Sequence, residues 1–276
     1  MTDQPLVSIV IPTYNSVQQL RICLKSINSQ TYQNREIIIV DNYSDDGTEE
    51  LSKNYNVKFY TLRGERAKAK NFGLSKATGK YILFMDSDME LANDVIKECV
   101  MLMDSNHGIG GIIIPETTLG VSFWAKVRAY ERRFYENTEI ESARFFITSL
   151  ARKVNGYDEH TVFFEESTLP CKIRKFGYIV NARINSKIFH HEESLSIINH
   201  LQKKLYYGRS LSYYVYHYRH QAKIQLNFAY RAKIFFNKKF MEHPMLGMAV
   251  FILKFVESFF VLTGAVVSTI TGDKSL

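Results

Sequence analysis

The chain has 276 residues, 46% of them hydrophobic and 23% charged, and a net charge of +7. That length and apolar content suit one large domain, or a domain with an appendage, and exclude a disordered chain. Cys23, Cys99 and Cys171 are odd in number, widely spaced and without His or Cys at metal-binding spacing, which points to a reducing compartment. Met1 to Pro5 carry no basic region, and the apolar run Leu6 to Ile11 is too short for a signal-peptide core. The folded part is therefore expected to face the cytosol.

Leu6 to Ile11 reads as a buried strand, ended by Pro12 in Pro12-Thr13-Tyr14-Asn15-Ser16. Asn15 or Ser16 is expected to cap a helix whose inner face carries Leu20, Cys23 or Leu24, and Ile27. Glu36 to Val40 is a second strand, and the polar turn Asp41 to Thr48 leads into a helix through Leu51 to Tyr55. Val57 to Leu62 is a third strand. The alanine-rich helix Arg66 to Ala77 is expected to close at Thr78-Gly79 through a glycine C-terminal cap.

Lys80-Tyr81-Ile82-Leu83-Phe84-Met85-Asp86-Ser87-Asp88 is the stretch around which the rest is organised. Its apolar run is too short for a helix and reads as a central strand. If the backbone stays extended, Asp86 and Asp88 face one space and Ser87 turns away. Two such carboxylates repel unless a cation lies between them and a substrate's oxygens. A helix over 93–103 and a strand over 109–114 complete the alternation, which implies a parallel sheet covered on both faces. Ligands of such sheets bind beyond the carboxyl ends of the strands, where Asn15, Asp41 and Asp86 all fall.

Pro12-Thr13-Tyr14-Asn15, Ile39 to Thr48, Ala69-Lys70-Asn71-Phe72-Gly73 and Met85-Asp86-Ser87-Asp88 occur in the order and spacing of family 2 glycosyltransferases of the GT-A fold. The chain resembles that family from about Val7 to His191. The resemblance implies an α/β fold with a Rossmann-like, mostly parallel sheet flanked by helices. It further implies inverting transfer of a sugar from a UDP- or GDP-linked donor with Mn2+ or Mg2+. By position, the implied donor-binding residues are Pro12, Thr13, Tyr14, Asn15, Asp41, Ser44, Lys70, Asn71, Asp86, Ser87 and Asp88, with Asp41 at the nucleobase edge, Asp86 at the ribose and Asp88 on the metal. Where the family has Arg, this chain has Lys70, which keeps the charge but loses the two-pronged geometry.

Inverting transfer needs a base on the far side of the anomeric carbon from the leaving diphosphate. Asn155-Gly156-Tyr157-Asp158-Glu159 and Phe163-Phe164-Glu165-Glu166, before a helix through Leu169 to Phe176, stand where the family has Gly-Phe-Asp-Glu and then Glu-Asp. The resemblance puts Glu166 in the base position, with Glu165 second. The plain alternative is that both acids favour a helix N-terminus. His190 and His191, after a strand over 187–189, are the further candidate metal ligands. Phe123, Trp124, Val127 and Tyr130 have helical spacing and read as core or as the wall of an acceptor groove.

The expected organisation is a GT-A domain over 1–198, with a nucleotide half to about 115 and an acceptor half from 116, then a tail over 199–276. Between Asn199 and Pro244 nine basic residues stand against Glu242 alone, a net +8, so the chain's charge belongs to this segment. Tyrosines interleaved with Lys and Arg suit an anionic membrane surface or RNA. The apolar run Met245 to Ile270 next to them favours the membrane and argues against nucleic acid. Lys254 and Glu257 interrupt it, three apart, and are expected to pair on one helical face. A span, a helix lying in the interface, a pair of helices broken near Gly264, or docking on the domain or on a twin subunit all fit this pattern. A membrane-held enzyme of this kind suggests a glycan acceptor carried on a lipid such as a polyprenyl phosphate, met at the inner face of the cell membrane. Two competing readings are a non-catalytic module recruiting partners to membrane, and a sugar-phosphate nucleotidyltransferase. The latter needs a glycine-rich loop after the first strand, which Pro12 to Asn15 lacks.

Overall fold

The computed structural model describes residues 4–192 and 196–271. Met1 to Asp3, which bear on the leader expectation, and residues 272–276 of the tail lie outside the described residues. The chain opens with β1 (Val7–Thr13), α1 (Val17–Asn28), β2 (Arg35–Asp41), α2 (Thr48–Ser52), β3 (Val57–Thr61), α3 (Arg66–Lys76) and β4 (Tyr81–Phe84). Then come β5 (Met89–Leu91), α4 (Val95–Ser105), β6 (Gly111–Ile113), β7 (Glu116–Leu119), α5 (Phe123–Tyr135), β8 (Phe145–Ile147), α6 (Thr148–Lys153), α7 (Glu165–Arg174), β9 (Ala182–Arg183) and β10 (Ile188–His191). The remainder is helical: α8 (Ile197–Gly208), α9 (Leu211–His217), α10 (Arg219–Gln225), α11 (Phe228–Phe235), α12 (Lys238–Glu242) and α13 (Pro244–Thr271).

These elements form two compact units that interleave along the chain. The first holds the residues through Glu116 with Ser142–Asp158 and Glu166–His191; the second holds Thr117–Glu141, Glu159–Glu165 and everything from Glu192. This differs from the sequential division at 198 and has a packing cause. Val127, Tyr130 and Phe134 on α5 bury against Ile234 and Phe235 of α11 and Val250 and Leu253 of α13, so the 117–141 excursion shares a core with the tail.

In the first unit a seven-stranded sheet runs β3-β2-β1-β4-β8-β6-β9. β1 is parallel to β2 and β4, β2 to β3, and β6 to β9, while β8 runs antiparallel between β4 and β6. Side chains sort by alternation onto the two faces: Ile9, Ile11, Ile39 and Leu83 join one core cluster, Val10, Ile38, Ile82 and Phe84 the other. Both faces are covered, so these strands read as continuous apolar runs. β8 was not anticipated. Phe145-Phe146-Ile147 is too brief to show a period, and it takes the place beside β4 through the Phe84 N–H donating to Arg144 O (2.9 Å).

Three local expectations change. Pro12 does not end β1, which runs to Thr13 in register with Asp41; it ends only the ladder with β4, the side to which its absent N–H would point. The Val17 N–H at the start of α1 donates to Asp46 Oδ2 (2.9 Å) from the loop after β2, and Ser16 makes no side-chain cap. α3 closes at Ala77 without a left-handed glycine. Gly79 serves close packing instead, since a Cβ there would lie 2.6 Å from Leu6 O and 2.8 Å from Ser8 N.

In the second unit α13 is one continuous helix of 28 residues, unbroken at Gly264. Lys254 Nζ pairs with Glu257 Oε2 (2.5 Å), as their spacing suggests, and also with Glu131 Oε1 of α5 (2.5 Å). His200 Nε2 of α8 lies 2.6 Å from Glu257 Oε1. A Cβ on Gly264 would sit 2.0 Å from Leu205 O, and one on Gly208 2.1 Å from Val261 O, so α8 and α13 meet backbone to backbone at this pair of glycines.

Candidate active site

The strand order β2-β1-β4 makes β1 a switch point: the chain leaves it through α1 toward β2 and later returns to β4 on the other side. In open α/β sheets the loops beyond the carboxyl ends diverge at such a point and leave a crevice, the usual ligand position. Thr13 to Asn15 form one side and Asp86 to Asp88 the other.

Asp41 organises the first side. It is 2% exposed, and its carboxylate accepts from the Thr13 hydroxyl (2.7 Å), the Ser44 N–H (2.7 Å) and the Ser44 hydroxyl (2.6 Å). Asn15 then ties the two loops: its N–H donates to Ser44 Oγ (2.8 Å), and its Oδ1 accepts from the Asp45 N–H (3.1 Å). Asn15 and Tyr43 both adopt left-handed backbone, φ 43° and 57°. Such conformations cost energy in non-glycine residues and mark constrained loops. Tyr14 stands out of this turn, 63% exposed, and Pro12 is half-buried beneath it. Asp41 thus holds the loop through three inward hydrogen bonds, and the nucleobase contact that the resemblance implies would be made in addition to them.

On the second side the backbone is not extended. β4 stops at Phe84, the Met85 N–H bonds Val10 O (3.0 Å), and the Met89 N–H bonds Asp86 O (3.2 Å), which folds Asp86 to Met89 into a turn. Asp86 and Asp88 consequently have separate partners. Asp86 Oδ1 lies 3.7 Å from Lys70 Nζ, and Asp86 Oδ2 lies 3.4 Å from the Arg144 guanidinium. Asp88 Oδ2 lies 2.9 Å from His190 Nε2. Ser87 sits half-buried in the turn between them.

Burial alone would raise the Asp86 carboxyl, but Lys70 and then Arg144, Arg66 and His190 outweigh it and hold the group well below the usual carboxylate range. Arg144 is pushed up in turn: burial opposes its charge, and Glu116 (2.6 Å from Nε) and Asp86 more than offset it. Beneath the turn, burial, then Asp88 and Asp86, push the Cys23 thiol up, so it stays protonated and is no competing ligand.

Asp86 Oδ1 and Asp88 Oδ1 are shielded from solvent and make no hydrogen bond among the described residues. A buried carboxylate oxygen in that condition is costly unless a ligand satisfies it. No group of three or more His, Cys, Asp or Glu suited to a metal occurs among the described residues. The donor set at the turn is thus one carboxylate and one imidazole, Asp88 and His190. That set fits an ion which arrives with substrate phosphates and keeps water, the usual habit of Mg2+ and compatible with Mn2+. His191 belongs elsewhere. β10 extends through both histidines, alternation sends them to opposite faces, and His191 Nε2 lies 2.8 Å from Glu90 Oε2.

Lys70 is inside the fold and Asn71 is half-buried. Lys70 is 2% exposed, with its ammonium 5.2 Å from the Tyr157 ring centroid and paired to Asp86. Asn71 Nδ2 donates to Tyr157 O (3.0 Å) and its Oδ1 accepts from the Tyr157 N–H (2.8 Å), clamping the 155–158 turn. Both residues brace the framework next to Asp86 and Tyr157.

Glu165 and Glu166 divide sharply. Glu165 is fully buried, whereas Glu166 is half-buried and reaches solvent. Phe164 before them has φ 54°, an uncommon conformation for an aromatic residue. Ser167 Oγ lies 3.1 Å from Ser142 Oγ, two residues before Arg144, which ties the start of α7 to the strand whose arginine faces Asp86. Arg144 and Glu116 are the site residues that sequence reading missed. They lie in a stretch without a legible motif, and the one signal was a lone arginine entering the Phe145-Phe146-Ile147 run.

Residues 8–163, more than half of the chain, match the family model described as glycosyl transferase family 2. The chain belongs to glycosyl transferase family 2. A glycosyltransferase of Haemophilus influenzae is 39% identical over 113 residues, which are 38% of this chain and 45% of that protein. Glycosyltransferase GlyG of Streptococcus pneumoniae is 40% identical over 100 residues, 34% of this chain and 32% of that protein. The chain thus spans less than half the length of these curated relatives. In fold it is similar to the mannosyltransferase PcManGT of Pyrobaculum calidifontis, solved with GDP-Man and Mn2+, at TM-score 0.58 and 18% identity over 100% of this chain and 77% of that one. It is also similar to S. aureus TarS 1-349 in complex with UDP-GlcNAc, at TM-score 0.57 and 15% identity over 96% and 91% of the two chains. These likenesses establish the GT-A-like α/β fold of this family 2 member.

Proposed function

We propose that this family 2 member is an inverting glycosyltransferase that moves a sugar from a UDP- or GDP-linked donor to a glycan acceptor on a polyprenyl-type lipid, at the inner face of a membrane. The observation carrying this reading is the pairing of Asp88 with His190 at the mouth of the β1/β4 crevice, beside an Asp86 held ionised by Lys70 and Arg144. PcManGT, bound to GDP-Man and Mn2+, and TarS, bound to UDP-GlcNAc, lend support through their shared fold.

In this reading the nucleoside lies over the Tyr14–Asn15 turn that Asp41 and Ser44 hold rigid. Asp86 accepts from the ribose hydroxyls through Oδ1, which makes no hydrogen bond among the described residues, while Oδ2 accepts a long one from Arg144 (3.4 Å). Asp88 and His190 would hold a divalent cation, which would neutralise charge on the departing diphosphate. Glu166 takes the proton of the acceptor hydroxyl as that oxygen bonds the anomeric carbon and the bond to the diphosphate breaks. Glu165, fully buried, is left a structural role. Lys70 and Arg144 act at one remove, keeping Asp86 charged.

The test is a panel of nucleotide sugars titrated against the protein with Mn2+ and read by thermal shift, since bound ligand stabilises according to its affinity. One nucleotide family should shift the transition in wild type and lose that Mn2+-dependent shift in Asp88→Ala. Transfer of label from the selected donor to a polyprenyl-phosphate glycan should disappear with it. Full activity of Asp88→Ala refutes the assignment. Donor binding without turnover on any lipid fraction favours a non-catalytic module.

A further inference from the structure

Toward its own unit α13 buries Val250, Leu253, Val261 and Ala265, and among these apolar contacts Lys254 and Glu257 are tied to Glu131 on α5 and to His200 and Lys204 on α8. Away from it, Met248, Phe251, Phe255, Phe259, Leu262 and Val266 follow at steps of three or four and are between 40% and 73% exposed. At ~1.5 Å per residue this stripe is about 27 Å long, an apolar surface that monomeric soluble proteins rarely leave open.

The apolar surface continues beyond α13. The Phe236 ring is 5.9 Å from Phe251, and Phe236 is exposed between Lys233 and Lys238, which are exposed as well. These belong to the segment with nine basic residues and one acid. Apolar stripe and basic flank together match a lipid surface that is apolar within and anionic at its headgroups. A second copy laid symmetrically on the stripe would bring two such basic flanks together.

Crossing the bilayer is disfavoured by the inner face. Insertion would strip Lys254 and Glu257 from their partners and leave both near mid-helix in hydrocarbon. It would also separate the backbone contact at Gly208 and Gly264.

We propose that α13 lies in the plane of an anionic membrane, its outer stripe sunk to the headgroup–acyl boundary and its inner face kept on α5 and α8. The inference rests on the reading that the chain works at a membrane and specifies how it is held there.

Depth-dependent fluorescence quenching tests it. In a Trp124→Phe background, Met248→Trp, Phe255→Trp and Leu262→Trp are bound to phosphatidylglycerol/phosphatidylcholine vesicles whose acyl chains carry bromines at graded depths. The expected result is one shallow depth for all three. A deep Phe255→Trp signal flanked by shallow ones shows a span; it overturns this inference and leaves the membrane location standing. No quenching at any position, with mass doubled in sedimentation, shows a second copy on the stripe and sinks the membrane reading too. The unaltered chain covers the case of a misfolded variant: it should float with vesicles containing phosphatidylglycerol at least tenfold better than with pure phosphatidylcholine, and equal flotation or none overturns the proposal. None of these readouts depends on sugar transfer, so the donor-site reading stands or falls separately.

Discussion

His190 Nε2 lies 2.9 Å from Asp88 Oδ2, and this contact separates two histidines that the sequence could not tell apart. If the pair holds the cation, Asp88→Ala should abolish Mn2+-dependent donor binding. His190→Ala should raise the Mn2+ concentration for half-maximal transfer about tenfold, equivalent to ~1.4 kcal/mol. His191→Ala removes only the contact to Glu90 and should leave that concentration within about twofold. Calorimetric titration of Mn2+ in the presence of donor measures all three. Equal effects from the two histidines would contradict the assignment.

Glu166 and Glu165 should part in the same way. A general base contributes roughly 10²–10⁴ in rate, so Glu166→Gln is expected to lower kcat by about that factor with donor KM nearly unchanged. Glu165→Gln alters a buried group and should act mainly on stability, lowering Tm while sparing most of kcat. A collapse of kcat in Glu165→Gln with activity kept in Glu166→Gln would reverse the roles.

The parts of this fold visible in the sequence were those decided locally. Strands such as Ile37 to Val40 and Tyr81 to Phe84 carry enough consecutive apolar residues to declare themselves, and the switch point followed from their alternation with helices. What stayed hidden depends on partners distant in sequence. The bonds of Asp41 to Thr13 and Ser44, and of Asn71 to Tyr157 86 positions later, appear only once the chain is folded. Arg144 gave no warning because its importance comes from Asp86 and Glu116, which belong to other strand ends. The Lys254–Glu257 pair was legible from spacing alone, but Glu131, which buries it, was not.

Acid stability should depend on Glu36. Its carboxylate accepts from Lys58 Nζ (2.6 Å), the Ser8 hydroxyl (2.5 Å) and the N–H and hydroxyl of Thr78, joining β1, β2, β3 and the turn before β4. Burial would raise this group, but Lys58, Ser8 and Thr78 together lower it from 4.5 to about 2. An acid depressed by folding contributes stability above its unfolded value and loses it as pH falls toward the folded one, so the window is about pH 4.5 down to 2. Allowing for the half-exposed lysine, Glu36→Gln should cost ~1–2 kcal/mol at pH 7 and flatten the decline across that window. Urea unfolding at several pH values compares the slopes. A variant as acid-sensitive as wild type would show that other carboxylates govern the transition.

Gly264 and Gly247 are both buried residues of α13 but face different obstacles, and their alanine variants should differ accordingly. Alanine in a helix interior gains roughly 0.5–1 kcal/mol over glycine from backbone entropy. At Gly264 the new Cβ would lie 2.0 Å from Leu205 O and 3.2 Å from Gly208 Cα, backbone atoms of α8 that cannot rotate away. Forcing a methyl between packed elements costs about 1–3 kcal/mol, with an overlap against backbone near the upper end, so the overlap outweighs the helical gain. The expected net loss is ~1–2 kcal/mol. At Gly247 the Cβ would meet the Phe240 ring at 2.6 Å, a side chain on α12 that can swing outward. Gly247→Ala should accordingly come out near neutral, within about 1 kcal/mol of wild type. Guanidinium unfolding of the full chain, followed by tyrosine fluorescence, ranks the two. A Gly264→Ala variant more stable than wild type would mean that α8 and α13 are not in backbone contact, and with that the argument for a helix held flat against its unit would lose its main mechanical support.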